Sequence, residues 1–69
     1  MADEKLPPVK VGDEVLLDIV SVGVRGDGIA KHNDFVIIVP GTQKGERVLA
    51  KIVNVKPKFA FAEQIKRVR

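Results

Sequence analysis

Three side chains in this sequence offer a flat π face to a ligand: Phe35, Phe59 and Phe61, its only Phe, Tyr or Trp residues. Two of them follow polar or basic stretches. Phe35 comes after Lys31-His32-Asn33-Asp34, and Phe59 after Lys56-Pro57-Lys58. Phe59 and Phe61 are two residues apart, so in an extended chain they point to one side. Ala60 and Ala62 then point to the other, where strands can pack closely. A nucleobase bound without regard to sequence needs a ring to stack on and a cation near its phosphate. Stacking of this kind contributes about 1–3 kcal/mol per base. Arg25, Lys31, Lys56 and Lys58 are the candidate phosphate contacts, and His32 could touch a phosphate or a base. Phenylalanine more often fills a core, so exposure decides between the two roles.

Other chemistries lack a residue set. Gly26-Asp27-Gly28 opens a strand pattern rather than a helix, and no Gly-Lys-Ser/Thr follows, so it is not a phosphate loop. Asp13, Glu14, Asp18, Asp27 and Asp34 fit solvated turns and strand faces better than an acid–base pair. Ser21 and Thr42 have no neighbouring His or Lys that would activate a nucleophile. There is no cysteine and only one histidine, which excludes a disulfide framework, a thiolate zinc site and a Cys/His metal spacing. The expectation is a protein that is not an enzyme and carries no metal or cofactor.

Charge points the same way. The total is +3, but residues 1–34 hold four basic and seven acidic side chains, while residues 35–69 hold eight basic and two acidic. A balance of −3 is followed by one of +6. One-sided positive charge favours a polyanionic partner. A membrane surface is a poorer match, because no amphipathic basic helix is visible. No apolar run nears the roughly 20 residues that span a bilayer, and the N-terminus lacks the apolar segment of a secretory signal. Cytoplasmic location follows as an expectation, with a monomer as the default.

These residues must be positioned by strands. The chain has 69 residues, enough for one domain. Residues 1–9, with their charges and Pro7-Pro8, read as a flexible tail, and residues 10–69 as the folded domain. Glu14 to Val22 has a period-2 pattern at Val15, Leu17 and Ile19 but is apolar on part of its other side, as in a strand turning a barrel corner. Gly23, Gly26 and Gly28 mark a bend or bulge. A short strand at residues 29–31 leads through a polar hairpin loop to a strand from Phe35 to Val39. Pro40-Gly41 suits the middle of a type II turn, and residues 42–45 a short connection with room for one 3₁₀ turn. Glu46 to Val55 is a long strand whose Val48, Ile52, Val53 and Val55 oppose a helix. The last strand starts at Phe59, and Lys66, Arg67 and Arg69 form a basic tail. Five strands this short expose edges unless they curl, so the expected fold is all-β, a small five-stranded antiparallel barrel.

In order and spacing, Gly26-Asp27-Gly28-Ile29-Ala30, Phe35-Val36 running to Val39-Pro40-Gly41, Gly45-Glu46 with Val48, and Phe59-Ala60-Phe61-Ala62-Glu63 resemble the TRAM domain. The resemblance covers about residues 10–67. It implies an OB-like barrel that contacts RNA through Phe35, Phe59 and Phe61, with Lys31 as a neighbouring cation. It also implies kinship with short archaeal proteins made of this domain alone, which are associated with RNA binding and a cold-shock-like RNA-chaperone role. Domains of this family appended to tRNA-modifying enzymes hold RNA; no such catalytic domain is visible in this sequence. The rival expectation is a protein-interaction barrel, an accessory subunit of a ribosomal or RNA-modifying assembly that uses the Phe patch to meet protein.

Overall fold

The computed structural model describes residues 7–69, so residues 1–6 of the tail expected at residues 1–9 lie outside the described residues. Five strands form: β1 (Glu14–Val22), β2 (Asp27–His32), β3 (Phe35–Pro40), β4 (Arg47–Val55) and β5 (Phe59–Arg67). They close into a barrel in the order β1-β2-β3-β5-β4. Val9, which the sequence reading assigned to the tail, is instead 3% exposed and part of the core. The segment after it is stitched onto β4 by Gly12 N–H to the Ile52 carbonyl and Ile52 N–H to the Asp13 carbonyl, each 2.8 Å.

The expected all-antiparallel pairing is corrected at one seam. β1·β2, β1·β4, β2·β3 and β4·β5 are antiparallel, but β3 and β5 run parallel. The reason is topological. Each antiparallel step reverses direction, so a closed ring with an odd number of strands must contain a parallel pair.

Alternation along the strands decides what enters the barrel. Leu17, Ile19, Ala30, Ile37, Val39, Val48, Ala50, Ile52, Ala60 and Ala62 point inward and are at most 2% exposed. A five-strand barrel is too thin to hold aromatic rings along its length, which is why β5 lines it with alanines.

Curvature comes from three register breaks. Val20 is the extra residue opposite β2, Val53 the extra residue opposite β5, and Ile65 the extra residue opposite β4. All three are about half exposed, at 51%, 47% and 49%. A bulged residue leaves the ladder and bends its strand. On β1 this accounts for the exposed Val20, while Leu16 and Val22, also exposed, stay in the ladder. The bends are therefore not supplied by Gly23, Gly26 and Gly28 as the sequence suggested. The first two belong to the β1–β2 turn, and Gly28 has another task.

Gly28 faces the interior beneath Thr42, which is 2% exposed and donates its hydroxyl to the Val39 carbonyl at 2.8 Å. A Cβ on Gly28 would overlap Thr42 Oγ1 and crowd Ile19 Cγ2 at 3.1 Å. Thr42 thus plugs one end of the barrel through the space the glycine leaves. Its position follows from the turn at Pro40-Gly41, where Gly41 has φ of +80°, as a type II turn requires. At residues 42–45 Glu46 N–H reaches the Gln43 carbonyl at 3.1 Å, but Gly45 has φ of +92°, so the connection is a β-turn rather than a 3₁₀ turn. Replacing Gly28 by Ala should lower stability by about 1–3 kcal/mol through overpacking, read from urea unfolding. Adding Thr42→Ala should recover part of the loss, and additive losses would show that the two residues do not share this contact.

Candidate nucleic-acid interface

The parallel seam brings two hairpins side by side. β2 and β3 are joined through Asn33-Asp34, whose φ values of +54° and +67° make a two-residue type I′ turn, closed by the His32·Phe35 pair. β4 and β5 are joined through residues 56–58, closed by Lys56 N–H to the Phe59 carbonyl at 2.7 Å. Val36 of β3 pairs with Phe59 of β5, so the two turns emerge at the same end of the barrel. Neighbouring strands lie about 5 Å apart. Lys31, Lys56 and Lys58, all exposed, and the half-buried His32 are thereby gathered from two distant stretches of sequence.

The outer face beside them is apolar. Lys31, Val36 and Phe59 align across β2, β3 and β5, and Ile29, Ile38, Phe61 and Asn54 form the next row. Phe59 and Phe61 are half-buried, with ring centroids 5.4 Å apart and planes at 79°. This is an edge-to-face pair, which leaves ring surface to solvent. Ile29, Val36 and Ile38 are half-buried around them. Sequence reading missed these aliphatic neighbours. Their signal was the unbroken apolar run Val36-Ile37-Ile38-Val39, which cannot be buried on one face of a strand alone.

Phe35 departs from the expected surface trio. It shares the inward parity of Ile37 and Val39 and packs against the core from the end of the barrel. The position at the mouth lets a ring fit where the thin interior would not take one. His32, its cross-strand partner, sits at the same mouth. Arg25 is exposed in the β1–β2 turn, at the opposite end of β2 from the lysines. The five residue steps of β2 separate these ends by about 17 Å.

Beyond Phe61 lies an open cleft of about 350 Å³, lined by Pro40, Val53, Phe61, Ala62, Glu63 and Gln64. Val53 is the bulge residue of β4. Pro40 pairs with Asp27, close in sequence to Arg25. The outer face therefore runs from the lysine end, across the two rings, to the cleft, and Arg25 lies in the turn at that end of β2.

The other basic residues are used differently. Arg47 donates to both carboxylate oxygens of Asp18, at 2.8 and 3.2 Å, and Arg67 to Glu46 at 3.3 Å. Val68 and Arg69 continue the ladder to the Arg47 carbonyl, so the C-terminal residues lie along the barrel. Neither of the two ion pairs found among the described residues includes Lys31, Lys56 or Lys58. Arg47 holds the Asp18 carboxyl below its ordinary range, first by hydrogen bonding and further by its charge. Among the described residues no group of three His, Asp or Glu side chains could hold a metal ion, and no helix is long and apolar enough to cross a membrane.

Comparison with known proteins completes the picture. The family model described as the TRAM domain matches residues 8–65. An uncharacterized protein of Methanocaldococcus jannaschii is 55% identical over 84% of this chain and 75% of its own length. The ribosomal RNA large subunit methyltransferase E of Haloarcula marismortui is 47% identical over 84% of this chain, which spans 22% of that enzyme. Translation initiation factor 2 subunit beta of Methanothrix thermoacetophila is 46% identical over 86% of this chain and 28% of its own length. The solution structure of a conserved protein of Methanococcus maripaludis superposes with a TM-score of 0.81 at 43% identity, covering 87% of this chain and 86% of that one.

Phe35→Ala should cost about 2–3 kcal/mol of stability, below the 3–5 of a fully buried ring. Phe59→Ala and Phe61→Ala should cost less, and urea midpoints that rank the three otherwise would put Phe35 outside the core. For Asp18, a lowered folded-state pKa means stability that is present above the ordinary carboxylate range and lost as pH falls through the lowered value. Both partners are exposed, so the contribution is small and salt-screened. NMR titration of Arg47→Ala should show the Asp18 transition move up; an unmoved transition would mean the pair does not persist in solution.

Proposed function

The chain belongs to the TRAM domain family, and from that premise we propose that it is an RNA-binding module of low sequence specificity, acting without catalysis in the cytoplasm as a monomer. The observation that carries this reading is the half-buried, outward-facing edge-to-face Phe59·Phe61 pair beside the exposed Lys31, Lys56 and Lys58. An apolar outer face exposed to water gains from a partner. The partner that satisfies both rings and ammonium groups is a single strand whose bases are free to stack. OB-type barrels bind oligonucleotides on the β2–β3 face, and here that face continues onto β5.

In this arrangement the lysines take phosphates at one end of the track and Arg25 takes one at the other. Phe59 and Phe61 carry the bases. Phe35 supports the mouth of the barrel from inside, and His32 lies beside it. A duplex hides its base faces, so the surface selects open RNA. Holding the open form shifts the population of weak hairpins toward it without any energy source. This is the action expected of a cold-shock-like RNA chaperone, and it suits the loops of tRNA and rRNA. The names of the ribosomal RNA methyltransferase and initiation-factor relatives agree with an RNA setting.

Fluorescence anisotropy of a labelled single-stranded RNA, with the matched duplex beside it, tests the reading. Single-strand binding should be tighter and should weaken steeply with salt through counterion release. Lys58→Ala should reduce the salt slope by about one unit at most. Phe61→Ala should cost about 1–3 kcal/mol of binding with the fold retained. Absence of RNA binding by the folded protein at low salt would overturn the proposal and make the Phe face a protein-docking surface.

A further inference from the structure

The cleft next to Phe61 differs from the rest of the track in what it offers a base. Along the rest of the track the neighbours are aliphatic or cationic apart from His32 at the mouth and Asn54 opposite Phe61, and neither of these is a carboxylate. The cleft is lined by the apolar residues Pro40, Val53, Phe61 and Ala62, and Glu63 and Gln64 are the only polar residues among its lining. A single well-placed polar group in an apolar cleft can fix a ligand's orientation.

Glu63 has the parity of Phe59 and Phe61 and so faces outward on the same side of β5. Its cross-strand partner is Lys51, yet neither ion pair found among the described residues involves Glu63, and no side-chain hydrogen bond among them engages its carboxylate. A carboxylate on a surface meant for a polyanion weakens phosphate binding in general. It becomes favourable where it accepts hydrogen bonds from a base. Guanine presents two adjacent N–H donors, N1–H and the 2-amino group, on one edge. A carboxylate accepts such a pair in parallel, and charge-assisted pairs of this kind are among the stronger hydrogen bonds. Uracil offers one N–H between two carbonyl oxygens, which a carboxylate repels. Adenine and cytosine each offer a single exocyclic amine on that edge.

Resting on the RNA-binding reading, we infer that the cleft is a guanine-preferring subsite in which Phe61 borders the base and Glu63 accepts its N1–H and 2-amino protons. The module then binds most single strands alike but places a guanine, where one exists, at the Glu63 end.

The test uses the whole chain and three labelled oligoribonucleotides of equal length. One is all uridine, one has a central guanosine, and one has inosine in its place, which lacks only the 2-amino group. The guanosine oligomer should bind about five- to tenfold more tightly than the other two, the range of one good bidentate pair at its lower end. Glu63→Gln should erase that preference and leave all-uridine binding equal to or tighter than the parent's. Equal binding of guanosine and inosine oligomers by the parent, or a preference that survives in Glu63→Gln, would overturn the subsite while leaving the RNA-binding reading in place. Failure of all three oligomers to bind the folded protein at low salt would overturn both.

Discussion

Five strands cannot alternate in direction all the way round a ring, and the single parallel seam that results governs the rest of this molecule. The seam falls between β3 and β5. A parallel pair starts from the same end, so the turn before β3 and the turn before β5 must emerge together. Each turn carries cationic side chains close to it, and each opens a strand whose first two outward residues are apolar. The cluster of Lys31, Lys56 and Lys58 above Phe59 is therefore a consequence of closing the barrel. It depends on no direct contact among those lysines, which would repel one another at short range.

The narrowness of the barrel explains the other half of the surface. Its interior takes Leu, Ile, Val and Ala, and the largest fully buried side chains are Leu17, Ile37 and Ile52. Aromatic rings have two places left, the mouth and the outside. Phe35 takes the mouth; Phe59 and Phe61 are forced outward by the alanines that alternate with them. The same economy of space appears at Gly28, where one missing methyl group makes room for the Thr42 plug. Bulges at Val20, Val53 and Ile65 complete the curvature, and the one at Val53 helps to form the cleft at the end of the aromatic track.

Electrostatics divides the basic residues by role. Arg47 and Arg67 are held by Asp18 and Glu46 on the β1–β4–β5 side. Lys31, Lys56 and Lys58 stand at the seam outside these pairs. The contrast between an acidic first half and a basic second half of the chain does not map onto two faces. Lys31 comes from the acidic half and joins the cationic end, while Arg47 and Arg67 come from the basic half and are each paired with a carboxylate. What a polyanion would meet is a local arrangement rather than the net charge.

Local pattern in the sequence was enough to establish the strands, their order along the chain, the alternation of Phe59 and Phe61 against Ala60 and Ala62, and the need to close a barrel. These follow from side-chain period, β-branching and turn chemistry, all of which act within a few residues. The parallel seam, the inward turn of Phe35, the inclusion of Val9 in the core and the sites of the bulges came only with the tertiary structure. Phe35 illustrates why. Its neighbours Val36 to Val39 are apolar at every position, so alternation had no polar residue to mark the outer side. Register across a seam between residues more than twenty apart in sequence is decided by which closure fills the interior, and no short-range pattern carries that information. Glu63 was visible as a residue but not as a site, because the cleft beside it exists only where β4 bulges against β5.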